Sequence, residues 1–390
     1  MKVSVIGSSH ANYVANKRDF DLFSGKVAGV CYMPNSFENL IQEEETKTDK
    51  RIAQTKNNGH HSVYDHNTIN LYLEDIPKAL AMVLNNEKMY TTSEKSARYT
   101  KMVLKEEEQK IYDKWLAIFK DLIAKKYQEQ YPSFFSNWKI EKLAQENARY
   151  LISVFTPTSM VYSVSYIQLN YLYCFLKKEI EKEHNDKFSK MLVPYYKDLC
   201  KELDATGFVD EVLQKDMKGR TFSFIKQNSA PVTEYYGDVY ITSYKGSFAQ
   251  LAQAQRHRTL CYNIEFLDEA EFYVPPILKT NNALVEDWLA DCKKQADCLP
   301  QGMLIKINES GTLENFVLKM LERKCTFAQL EINQQTSETL KVYVKNLKET
   351  NHPRKDELDA YTKGSRCTFP GYVCTSPCGF AEGITEKREI

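Results

Sequence analysis

At 390 residues the chain exceeds what one hydrophobic core usually organises, so two domains and a tail are expected. Lys plus Arg equals Asp plus Glu at 52 each, which excludes a general electrostatic drive toward nucleic acid or lipid. Any anionic ligand must therefore meet a local basic cluster. The first residues, MKVSVIGSSHANY, lack the charged start and apolar run of a signal peptide, and no segment reaches membrane-spanning length, so the expected location is the cytoplasm. Cys31, Cys174, Cys200, Cys261, Cys292 and Cys325 are dispersed singly, mostly in apolar stretches, as suits reduced thiols packed as small hydrophobes.

In chain order, MKVSVIG reads as a strand, and SFENLIQEEETKTDKRIAQTKNNG as one helix stopped by Gly59. HHSVYDH follows, then a strand from the alternation in NTINLYLED and helical spacing in IPKALAMVLNNEKMY. Charged amphipathic helices fill much of residues 104–206. From about residue 220 a related order begins again. APVTEYYGDVYITSY reads as a strand, and KGSFAQLAQAQRHRTL as a helix like that at 78–90. The two can be overlaid with Asn86, Glu87 and Lys88 opposite Arg256, His257 and Arg258, and ENARYLISVFTPTSMVYSVSYIQLNYLYCFLKK can be laid on QADCLPQGMLIKINESGTLENFVLKMLERK. The expected division is a first copy at 1–206, a second at 207–350 and a tail at 351–390. The tail holds Cys367, Cys374 and Cys378, whose spacing matches no common zinc module, so reduced structural thiols are expected there.

Several strings carry chemistry. Arg256, His257 and Arg258 end an otherwise apolar helix, where cations are favoured in any case. His60, His61, Asp65 and His66 in GHHSVYDH suit either a metal site or a hydrogen-bonded turn. In SEKSARY, Ser96 and Arg98 with the intervening amides suit a phosphate, because a guanidinium pairs in plane with its oxygens.

Taken together and in this order, the strings resemble the flavin-dependent thymidylate synthases, whose pattern runs GHxSxxEH, a helix ending in RHR, ExSxRY, then an Arg-containing helix and AQxEIR. This sequence divides the pattern. The first half holds GHHSVYDH, with Asp65 for Glu, then Glu94, Ser96, Arg98, Tyr99 and Arg149; the second holds QAQRHRT and LERKCTFAQLEI. In place of the late-helix Asn and Arg of the family stand Gln168 and Asn170 in the first half and Thr312 and Glu314 in the second.

The resemblance implies an α/β architecture of the α+β type. It would comprise two tandem copies with small, mostly antiparallel sheets flanked by long helices, and a homodimer would restore a tetramer-like assembly. It implies a methyltransferase making dTMP from dUMP with FAD, NADPH and methylenetetrahydrofolate, and requiring no metal. Gln253, Arg256 and Arg323 would form one wall of the dUMP site, and Ser96, Ala97, Arg98 and Arg149 the other. Arg256, Arg323 and His60 would serve catalysis, and Arg256, His257, Arg258, Ser62, Asp65, Gln168 and Tyr99 would contact FAD or folate. Three other functions are weighed beside it: hydroxymethylation of a pyrimidine nucleotide, a non-catalytic nucleotide-binding protein, and a metal-dependent phosphohydrolase built on His60, His61, Asp65 and His66.

Overall fold

The computed structural model describes residues 1–10, 15–32, 36–98, 100–214, 221–378 and 388–390. The chain forms two compact units, one from Met1–Lys95 and Pro157–Phe222, the other from Ser96–Thr156 and Ser223–Ile390.

The first unit is built on an antiparallel sheet of β1 (Lys2–Ser8), β2 (Thr68–Pro77), β3 (Thr91–Glu94) and β4 (Pro157–Ser165), in the order β1-β2-β4-β3. Alternation sets its inner face: Ile69, Leu71 and Leu73 of β2, and Met160, Tyr162 and Val164 of β4, are buried while their neighbours are less so. The helix Tyr166–Glu181 follows β4 directly because Ser165 caps it, its side chain accepting from the Gln168 amide. Phe20, Tyr64, Tyr166 and Phe208 pack edge-on or tilted against one another, and each is fully or nearly fully enclosed. Burying such side chains contributes about 1.5–3 kcal/mol apiece.

The second unit carries β5 (Tyr235–Tyr236), β6 (Val239–Ser247), β7 (Cys261–Glu265) and β8 (Leu304–Thr312) in the order β5-β6-β8-β7, again antiparallel. The order repeats that of the first sheet. The same spacing separates the starts of the seven-residue helices after the second strands, Lys78–Leu84 and Phe248–Ala254, and the starts of the third strands at 91 and 261. Thr312 caps the helix Leu313–Arg323 as Ser165 caps its counterpart. That correspondence sets Gln168 opposite Asn315, not Thr312, which corrects the alignment of the late helices drawn from sequence.

Residues 96–156 belong to the second unit because the helix Glu106–Ile123 buries Trp115 there. Its indole stands edge-on to Trp288 at 4.9 Å and donates to Asp291 at 2.9 Å. The compact units therefore do not follow the division at residue 206. Three smaller differences from the sequence expectation also arise. The helix expected across 36–59 is two, Phe37–Gln42 and Glu45–Asn57; the stretch 104–206 includes β4; and both helices before Lys88 and Arg256 stop a turn early.

Candidate nucleotide and cofactor sites

In the second unit the turn Phe327–Gln329, which precedes the helix Leu330–Glu349, gathers residues from widely separated parts of the sequence. Arg98 donates from Nη2 to the Phe327 carbonyl at 3.0 Å and pairs through Nε with the buried Glu146. The Gln329 carboxamide oxygen accepts from both Arg149 Nη2 and Gln253 Nε2, while its nitrogen donates to the Tyr150 hydroxyl. Tyr150 in turn donates to Glu331 at 2.9 Å, and Ser247 donates to the same carboxylate from its amide at 2.8 Å and its hydroxyl at 2.6 Å. This run of buried hydrogen bonds fixes the orientation of Gln329, and through it that of Arg149 and Gln253.

Two atoms in the run have no partner. Arg149 Nε and Gln253 Oε1 are enclosed and make no hydrogen bond among the described residues. Buried polar groups are nearly always paired, so an orphan donor and an orphan acceptor in one network are candidate points of contact for a ligand. Burial lowers the pKa of Arg149, with Glu146 opposing the shift.

Arg323 closes the cluster. Its Nε donates to His257 Nε2 at 2.7 Å and its Nη2 to the Gln253 carbonyl at 3.2 Å. It lies within electrostatic reach of Arg98 and Arg256. Desolvation, with Arg323 and Lys319 adding to it, drives the His257 pKa down to about 2, so the ring is neutral and its Nε2 is an acceptor. Arg256 and Arg258 lie just past the helix Phe248–Ala254, on the exposed side of the turn. Ser96 and Ala97 form the turn before Arg98, the Ser96 carbonyl accepting from the Thr100 amide at 2.9 Å and the Ala97 carbonyl from Gln145 at 3.4 Å. Thus Arg98, Arg149, Gln253 and Arg323 are brought together around Gln329. Tyr99 lies outside the described residues.

His60, Ser62, Asp65 and Gln168 fall in the first unit. Gly59, at φ 73°, turns the chain out of the helix Glu45–Asn57, a conformation only glycine adopts without strain. The following 3₁₀ turn His61–Asp65 is tied to the next element by Ser165, whose hydroxyl donates to Asp65 at 2.6 Å. Two cavities meet at Asp65, Ile167 and Tyr171. One, of about 510 Å³, is lined also by Lys88, Tyr90, Ser163 and Gln168; the other, of about 350 Å³, by Gly59, His60, His61 and Ser62. Their sizes fall in the range of small-molecule and cofactor sites. Gln168 contributes to this wall while its amide nitrogen donates to the Glu87 carbonyl at 3.0 Å. Among the described residues, no three His, Cys, Asp or Glu side chains stand where they could share a metal ion.

Sequence reasoning passed over Gln329, Tyr150 and Glu146 as site residues. Gln329 stands in the AQLEI string and could have been found there; Tyr150 and Glu146 flank Arg149 and carry no signal of their own.

Residues 16–193 match the family model described as thymidylate synthase complementing protein. Residues 16–193 are thus similar to that family, the flavin-dependent thymidylate synthases. The matched stretch includes GHHSVYDH, SARY and Arg149; QAQRHR and AQLEI lie beyond it. Among solved structures, thymidylate synthase X from Helicobacter pylori with FAD and dUMP is 15% identical, with 55% of this chain and 100% of that one covered, at a TM-score of 0.33. A UMP/dUMP methylase, PolB from Streptomyces cacaoi, bound with 5-Br dUMP, is also 15% identical, with 53% and 96% covered, at 0.31. No curated protein matches the chain. No helix among the described residues is long and apolar enough to cross a membrane.

Proposed function

We propose that the protein modifies C5 of dUMP in a flavin-dependent reaction, making dTMP with methylenetetrahydrofolate as carbon donor and NADPH as reductant, and that the nucleotide binds in the second unit around Gln329. The observation that carries this is the linkage of Arg149 and Gln253 through one carboxamide, in a network that leaves a buried donor of the one and a buried acceptor of the other unsatisfied. A pyrimidine nucleotide presents the complementary groups: phosphate oxygens for Arg149, and the N3–H of uracil for Gln253 Oε1.

C5 of uracil is a weak nucleophile, so the pocket must draw electron density toward it. Arg323 and Arg256 supply positive charge at the ring oxygens, a stabilisation set in place before reaction. The neutral His257 accepts from Arg323 Nε and so turns the remaining N–H groups toward the ring. On the other wall Ser96, Ala97, Arg98 and Arg149 take the phosphate, which fixes where the base lies. In the first unit FAD would be held by Ser62, Asp65 and Gln168, and His60 would stand on the folate side; the paired cavities at Asp65 suit a group of that size. When bound, the flavin supplies the hydride chemistry.

The repeated strand order and the matching helix caps support descent from a duplication; in this reading each copy kept one wall. Two such chains would form a homodimer, to be checked by light scattering. The deciding experiment is the absorbance spectrum of the purified protein with and without dUMP. A flavin spectrum perturbed by the nucleotide is expected, and its absence would overturn the proposal. Mass analysis of the product then distinguishes dTMP from a hydroxymethylated nucleotide.

A further inference from the structure

Residues 388–390 fold back onto the second unit beside the turn that carries Gln329, and none of the motifs accounts for them. The Glu389 amide donates to the Tyr127 hydroxyl at 3.2 Å, its carboxylate pairs with Lys126, and its carbonyl accepts from the Ile277 amide at 2.9 Å. Ile390 is buried. These contacts anchor the segment and deliver Arg388, whose Nη2 donates to the Ala328 carbonyl at 3.2 Å and to the Ile390 carbonyl at 3.0 Å. Arg98 holds the preceding carbonyl, that of Phe327, at 3.0 Å. Two guanidinium groups from distant parts of the sequence thus grip consecutive peptides of the turn leading to Gln329.

Arg388 keeps a donor in reserve. Its Nη1 is enclosed and makes no hydrogen bond among the described residues, as is true of Arg149 Nε. Four cations, Arg98, Lys139, Arg149 and Arg388, gather around the carboxylates of Glu146 and Glu331 and the Ile390 main-chain oxygen that Arg388 bonds. Lys139 lies within electrostatic reach of Arg98, Arg388 and Glu146; Arg149 within reach of Arg98 and Glu146; and Arg388 within reach of Glu146. Glu146 is already paired with Arg98. Glu331, also near Arg149, is occupied by Ser247 and Tyr150. Desolvation is the first cause of a lowered pKa for Arg149, Lys139 and Arg388 alike, as expected of buried cations, which a bound anion would stabilise. A dianion would do so, and a guanidinium edge suits phosphate oxygens better than a carboxamide or hydroxyl would.

We infer that Arg388 is a nucleotide-binding residue, adding to Arg98 and Arg149 a further guanidinium at the phosphate end of the site, so that the segment 388–390 selects a nucleoside monophosphate over the nucleoside. This rests on the placement of the nucleotide proposed above. The experiment titrates the full chain calorimetrically with dUMP and with deoxyuridine, for the unsubstituted protein, Arg388→Ala and Arg388→Lys. Loss of a charge-assisted hydrogen bond predicts that Arg388→Ala binds dUMP about tenfold or more weakly. Deoxyuridine, lacking the phosphate, should bind all three within about twofold. Arg388→Lys, which keeps a charge without the planar fork, should fall between.

Unchanged dUMP affinity in Arg388→Ala overturns the inference, as do equal losses for dUMP and deoxyuridine, which would make the segment a brace for the turn. Should Arg388→Ala fail to fold, the ratio of dUMP to deoxyuridine affinity in Arg388→Lys decides, and a ratio equal to that of the unsubstituted protein sinks the idea. A protein that binds neither compound refutes the nucleotide site itself, whereas tight dUMP binding indifferent to Arg388 refutes only this assignment.

Discussion

Replacing Gln329 with leucine tests the linkage on which the nucleotide site depends. The substitution keeps volume but removes the carboxamide that accepts from Arg149 and Gln253 and donates to Tyr150. A hydrogen bond to a charged donor is worth about 1.5–3 kcal/mol and a neutral one about 0.5–1.5 kcal/mol. Arg149, Gln253 and Tyr150 are all buried, so water does not readily replace the lost partner. The expected loss of stability is therefore on the order of 3–5 kcal/mol, reduced by whatever relaxation lets the side chains find other partners. Two measurements apply: the urea midpoint of unfolding, and dUMP affinity in the folded protein. Both should fall. Affinity should fall further than in a control such as Thr336→Val, which disturbs the same helix in a side chain whose hydroxyl donates to the Ile332 carbonyl. A Gln329→Leu protein as stable as its parent, binding dUMP as well, would refute the claim that this carboxamide orients the site.

Arg98→Ala leaves Glu146 buried without its cation, so it should cost about 3 kcal/mol of stability as well as abolish the effect of dUMP on the flavin spectrum; Arg98→Lys should recover stability while binding remains weak. Arg256→Ala, on the exposed side of its turn, should abolish the same spectral effect with a change of no more than about 0.5 kcal/mol in stability. His257 remains neutral in the folded protein down to about 2, whereas the unfolded chain takes up a proton near 6.5. Its contribution to stability is thus complete above that value and falls by up to about 1.4 kcal/mol per pH unit below it. Its imidazole nitrogens should show no titration by nuclear magnetic resonance between about pH 8 and 5, and a midpoint within that span would contradict the neutral acceptor assigned to it. Lys319 and Glu309 form an ion pair at 2.7 Å with no exposed surface, joined by Tyr240 and Tyr244. Lys319→Met should therefore destabilise by about 3–5 kcal/mol, and Lys319→Met with Glu309→Gln by less, as measured by denaturation.

The strands were legible where one sheet face is buried and the other is not. NTINLYLED alternates in sequence as β2 alternates in burial, and MKVSVIG became β1. β4 escaped notice because the charged helices on either side dominate any long window, and because TPTSMVYSVS mixes hydroxyl and apolar residues too evenly to stand out. The break after Gln42 was also hidden. EEET carries no glycine or proline, and the helix stops because Glu43 and Glu44 turn extended. Helix extent was overestimated at 78–90 and at RHR for a related reason: spacing shows which residues share a face but not where tertiary contacts withdraw support from the last turn.

The nucleotide site was legible in part because guanidinium groups cluster in short strings that sequence order preserves. What holds them together was not, since Gln329, Tyr150, Glu146 and Glu331 act through pairings between residues 48 to 181 positions apart in the chain, and no local pattern encodes such a partner. Arg388 is the extreme case, one cation among several in a polar tail, whose meaning depends on where residues 388–390 dock. Stability and recognition are therefore coupled here. The groups that keep Arg98 and Arg149 oriented are themselves buried and charged, so substitutions meant to probe binding also change folding. Only a comparison of ligands that differ by one group, as dUMP and deoxyuridine differ by a phosphate, separates the two effects in the same folded protein.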